Sequence, residues 1–167
     1  VGGLIMSSMS ERSAVKISIA DFANITPESN KGNAVGMGGY ILPIAQTGLT
    51  VRFSVFTEVC VPGDLCPCEL TLELSLRDQY GHVVELLGPV PQKIRVASVL
   101  TVETVQGLTL DQKNFIGGHA LNVLDFASGL PLSPGNYVWK ATIDSDEEHA
   151  AELRFCIPIP QTQPVLG

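Results

Sequence analysis

CVPGDLCPC at 60–68 holds three of the chain's four cysteines, and Cys156 is the fourth. Thiols at this density could ligate a metal, pair as a disulfide, attack a substrate, or fill space as small apolar groups. A structural zinc site takes four ligands, commonly in two C-x2–4-C pairs. The spacing here is C-x5-C-x-C, so Cys60, Cys66 and Cys68 need Cys156 or a distant histidine to complete a tetrahedron. Pro62-Gly63-Asp64 is a strong turn signal. It predicts a hairpin tip across which Cys60 approaches Cys66 or Cys68. Reduced thiols acting as small apolar residues are the expectation. A Cys60–Cys66 or Cys60–Cys68 disulfide is the alternative in an oxidising setting. A nucleophilic cysteine needs a base and a group that orients the base. The histidines are His82, His119 and His149, and none is tied to the cluster by sequence.

The remaining candidates are weaker. DSDEEH at 144–149 places Asp144, Asp146 and Glu148 at alternate positions, a spacing of oxygen ligands that could hold calcium. The central glycine and distal glutamate of a calcium loop are missing, so a solvated charged hairpin is expected. NKGNAVGMGG at 30–39 lacks the G-x-x-x-x-G-K-[ST] order of a phosphate loop and no helix follows it. It reads as a β-hairpin or bulged edge. Asp21, Asp78 and Asp125 each end an apolar run, where Asp commonly serves a turn. Nothing in the sequence selects two of them as a catalytic pair. No catalytic residue and no cofactor is expected.

The bulk numbers narrow the partners. The net charge is −7, and the ten basic residues are scattered with no two adjacent. Nucleic acid is bound through clustered Lys and Arg, so that class is disfavoured, as is an anionic membrane surface. No apolar run approaches the roughly 20 residues that span a bilayer. The opening VGGLIMSSMSERSAV has no basic n-region, which leads to a cytoplasmic expectation, with a virion location as the alternative. Charged residues make up 16% of the chain, below the usual quarter. A surface with so few charges is relatively apolar and is often covered by a partner or sister subunit.

These residues must be positioned by strands. ELTLELSLR at 69–77 puts Leu70, Leu72, Leu74 and Leu76 on one face and Thr71, Glu73 and Ser75 on the other, the period-two pattern of a half-buried strand. TVRFSVFTEV at 50–59, YVWKATID at 137–144, ELRFCIPI at 152–159 and VKISIADF at 15–22 alternate likewise. DQYG at 78–81, PLSPGN at 131–136 and the acidic 144–149 stretch punctuate them. Only 108–116 reads as a short helix, with Asp111 as its start. Trp139 and Tyr137 are placed in the core.

IADFANITPESNKGNAVGMGGYILPI, then LRDQYGHVVEL, then PGNYVWKATID…AELRFCIPI resembles an uncharacterised family of actinobacterial and phage-borne β-sandwich domains. In that family an early Asp-containing strand leads to a Gly- and Asn-rich hairpin, and a strand pair with an aromatic first member closes the domain. The resemblance implies a fold and no activity.

The reading is a single antiparallel β-sandwich of roughly eight to ten strands, immunoglobulin-like or jelly-roll-like. Residues 1–13 form an N-terminal tail or arm, 14–160 the sandwich, and 161–167 a C-terminal tail. The function expected is non-enzymatic: a protein-interaction or structural domain with a protein partner or self-association. The alternatives are a phage particle subunit or decoration protein, and a small metal-dependent enzyme or sensor using the 60–68 loop.

Overall fold

The computed structural model of the chain describes residues 9–161, so residues 1–8 of the arm expected at 1–13 and residues 162–167 of the tail expected at 161–167 lie outside the described residues. The fold is all-β. Its strands are β1 (Ala14–Ala20), β2 (Phe22–Thr26), β3 (Lys31–Val35), β4 (Phe53–Val61), β5 (Cys68–Asp78), β6 (Glu85–Leu86), β7 (Gln92–Lys93), β8 (Arg95–Val102), β9 (Gly118–Phe126), β10 (Gly135–Ile143) and β11 (Ala151–Ile157). One short helix, α1 (Leu110–Ile116), and a 3-10 turn at Gly63–Leu65 complete the regular elements, and residues 9–12 are also helical. The described strands outnumber the expected range because β6 and β7 are two residues each, and because the 15–22 run breaks at Asp21 into β1 and β2.

Two antiparallel sheets carry the core, one ordered β1-β4-β9 and the other β11-β10-β5-β8. The alternating leucines of β5 all point inward and are buried together with Trp139, Ala141 and Ile143 of β10. Val55, Val59 and Val61 of β4 join the same cluster from the opposite sheet. Phe126 of β9 stacks on both Phe53, at 4.8 Å, and Trp139, at 5.8 Å, and so ties one sheet to the other. Tyr137 is half-buried, stacks on Phe155 and donates its hydroxyl to the Ser133 carbonyl at 2.7 Å.

β4 departs from one-sided alternation. Ser54 and Phe56 point away from the sandwich core yet are buried. The cause is the β2–β3 hairpin, which lies over that outer face. Phe56 packs there with Ala20 and Ala23, flanked by Ala34, Leu121 and Val123. Gly32 makes the close approach possible, since a Cβ there would stand 2.5 Å from the Phe56 ring. Ser54 Oγ accepts the Ala23 amide at 3.0 Å and donates to Asp125 at 2.8 Å, and Asp125 also takes Arg52 at 2.9 Å. The Arg52 guanidinium in turn covers the Phe22 ring at 4.8 Å. Asp125 thus fastens the hairpin to the sheet, whereas Asp78 serves the turn expected of it by accepting the Tyr80 and His82 amides.

The 60–68 stretch is not a hairpin tip. β4 and β5 belong to different sheets and do not pair, so 62–67 is a crossover between the two layers of the sandwich. Helix α1 begins at Leu110, capped by Thr109, rather than at Asp111. Thr109 and Gln112 form a reciprocal capping box, which satisfies amides that a helix start otherwise leaves unpaired.

Candidate functional site

The crossover separates the cysteines that the sequence groups. Cys60 is on the outer face of β4, in register with Ala14 of β1 and His119 of β9. Cys66 and Cys68 turn the other way and pack against the main core, on either side of a cis Cys66–Pro67 bond. The Cys66 thiol points at the Pro62 carbonyl, 3.5 Å away. Cys156 is on the outer face of β11, in the other sheet. All four are free thiols. Burial is the main influence raising the Cys60, Cys66 and Cys68 thiols above their ordinary range. No group of three or more His, Cys, Asp or Glu among the described residues is arranged to hold a metal ion.

Cys60 has a partner that sequence spacing could not reveal. Its sulfur lies 3.2 Å from His119 Nδ1. His119 Nε2 lies 3.1 Å from the carbonyl of Ile116, the last residue of α1. A carbonyl only accepts, so Nε2 carries the ring proton and Nδ1 accepts from the thiol. The two residues are 59 apart in sequence and meet because antiparallel pairing of β4 with β9 sets them opposite one another. Gly117, at φ +77, turns the chain from α1 into β9, and a Cβ there would stand 2.5 Å from the Val61 carbonyl. The Gly117-Gly118 pair therefore fixes where His119 starts.

The acidic 144–149 turn uses its carboxylates on the protein itself. Asp144 Oδ1 accepts the Thr71 amide at 2.9 Å. Asp146 receives Ser10 Oγ at 2.5 Å and His149 Nδ1 at 2.8 Å. Asp146 Oδ1 also accepts the Glu148 amide at 2.9 Å. Ser10 is the leading cause, with His149 next, that holds the Asp146 carboxyl at about 2; Asp146 in turn raises the His149 imidazole. The turn thereby clasps the helical residues 9–12, and Arg12 adds a bidentate bond to Asp64 at 2.7 Å.

Two surface features remain. A groove of about 760 Å³ crosses the outer face of the four-stranded sheet. Tyr40, 62% exposed, and Tyr80, 76% exposed, line it. Arg77 and Lys140 in its floor both pair with Glu147. The second feature is α1. None of its residues is buried, although Leu110 and Phe115 are large apolar side chains, 75% and 91% exposed. Sequence reasoning found the helix but not its exposure, which depends on α1 touching little besides the 3-10 turn. Neither the scan against protein-family models nor the search of curated proteins gave a match to this chain.

Proposed function

We propose that the chain is a non-enzymatic interaction domain, an acidic β-sandwich whose working state has a protein partner or further copies of itself seated on α1. The observation that carries this is the helix. It carries its own capping box and backs onto the 3-10 turn, with Gly63 close against the Lys113 and Asn114 backbone, yet it presents Leu110, Phe115 and Ile116 to solvent. Removing one such side chain from water contributes about 1.5–3 kcal/mol, so a surface that covers any of them gains apolar burial, although at positions 110, 115 and 116 they are spread around the helix rather than on one face. The low charge content of the chain, 16%, supports the same reading.

The test is the double variant Leu110→Asp, Phe115→Asp. Both side chains are exposed, so the thermal midpoint should stay within about 2 °C of wild type, as for surface changes. Association, read as elution volume with and without lysate from the source cell, should be lost. Unchanged association would end the reading. A closed assembly of many copies would give it the form of a particle subunit.

The groove favours a second reading, a binding site for a small polar ligand stacked between aromatic rings. Its support is the placement of Tyr40 and Tyr80 on one concave face. Titration with a panel of oligosaccharides, with Tyr80→Ala as control, separates this from the first reading, since α1 is not part of the groove.

A further inference from the structure

Among the described residues, Cys60 is the one cysteine with a histidine in bonding distance. The thiol donates to Nδ1, and the far side of the ring is fixed by the Ile116 carbonyl. That is the arrangement in which an imidazole removes a thiol proton: a base within reach and a third group that holds its tautomer. The third group is the carbonyl of Ile116, the last residue of α1. Facing the pair on the same sheet surface are Glu58, two residues before Cys60 on β4, and Lys16 of β1 in register with Glu58. Ala14 is the other cross-strand neighbour of Cys60. A cleft of about 210 Å³ opens at His119, lined also by Ile25, Asn30, Leu100 and Leu121. Its walls also include Thr101 and Ala120 and are polar as much as apolar; the cleft adjoins the imidazole, and Cys60 itself is not part of its lining.

We propose that Cys60 is a site of S-thiolation by low-molecular-weight disulfides, with His119 carrying the proton. The step is Cys60–SH + R–S–S–R → Cys60–S–S–R + R–SH. The Cys60 sulfur attacks one sulfur of the disulfide as His119 Nδ1 takes the thiol proton. The R–S⁻ that leaves then collects that proton. Cys60 is oxidised and the departing half of the disulfide is reduced. Burial and Glu58 keep the free thiolate scarce, so the base decides the rate, since the thiolate is the attacking species. Cys66 and Cys68 lack an imidazole partner and pack against the core. Cys156, half-buried on the other sheet, is the internal reference.

The experiment treats the folded full chain with oxidised glutathione at neutral pH and maps the modified peptides over time. Cys60 should be modified at least tenfold faster than Cys156. In His119→Ala the Cys60 rate should fall at least tenfold while the Cys156 rate holds, and the gap should narrow as pH rises and thiolate forms without a base. The wild-type comparison needs no variant to fold. Equal rates at Cys60 and Cys156, a Cys60 rate indifferent to His119, or an equal change at all four cysteines would each overturn the proposal.

Discussion

At the scale of single residues, the core contains polar groups that no partner satisfies. Thr57 Oγ1 and Trp139 Nε1 are buried without a hydrogen bond. An unpaired buried hydroxyl costs about 1–3 kcal/mol, so Thr57→Val, which keeps the shape and removes the hydroxyl, should stabilise the protein by about 1 kcal/mol; a urea midpoint lower than wild type would show that the hydroxyl has a role. Trp139 is fully buried, and Trp139→Ala should cost about 3–5 kcal/mol, read from the same transition; an unchanged midpoint would contradict the packing described for β10. The Asp146–His149 pair gives a pH signature. Asp146 is held at about 2 against an ordinary 3.8. Its contribution is complete above 3.8 and is lost as pH falls towards about 2. His149 is raised from 6.5. Its contribution is complete below 6.5 and is lost as pH rises through the folded value. The stability difference between wild type and Asp146→Asn should therefore be largest between about pH 4 and 6.5 and shrink on both sides. A difference that is flat with pH would contradict the clasp. The inward leucines and Trp139 were legible from alternation alone. The Cys60–His119 contact was not, because it depends on the register of two strands far apart in sequence.

At the scale of elements, the β2–β3 hairpin explains most of what alternation misjudged. Period two assigns one wet face to β4, and Ser54 and Phe56 on that face are dry because the hairpin covers them. The glycine-rich 30–39 stretch reads as a hairpin or bulged edge, but it supplies only the second strand, β3, of a hairpin whose first strand is β2, and its landing place, Gly32 above Phe56, is a tertiary fact. Gly32→Val would force a side chain into the Phe56 ring, 2.5 Å from the position of its Cβ. Overpacking of this kind typically costs 1–3 kcal/mol. The variant should lose about that much by urea unfolding and expose the hairpin amides to faster hydrogen exchange; unaltered exchange at β2 and β3 would show that the hairpin does not depend on this contact. The crossover at 62–67 was misread for a related reason. Pro62-Gly63-Asp64 signals a change of direction, and a turn signal does not distinguish a return within one sheet from passage to the opposite sheet.

At the scale of the molecule, the sequence was sufficient for the all-β class and insufficient for the surface. Five alternating runs and their turn residues fix two packed sheets, since each has one apolar face to bury. What the sandwich does with its exterior depends on which apolar residues stay uncovered, and that is a property of the assembled fold. Phe115 and Leu110 are large apolar side chains, and residue type alone does not say that they stay uncovered. Among the described residues no helix is long and apolar enough to cross a membrane, so the exposed apolar side chains of α1 are not explained as part of a spanning helix. The central claim is that α1 is covered in the working state. The most direct measurement is the mass of the native complex at its natural concentration, by sedimentation velocity with fluorescence detection of the tagged full chain in source-cell lysate. The expected species is well above the 17.8 kDa of one chain, reduced to a single chain by Leu110→Asp with Phe115→Asp. A wild-type chain that sediments as a monomer throughout would contradict it.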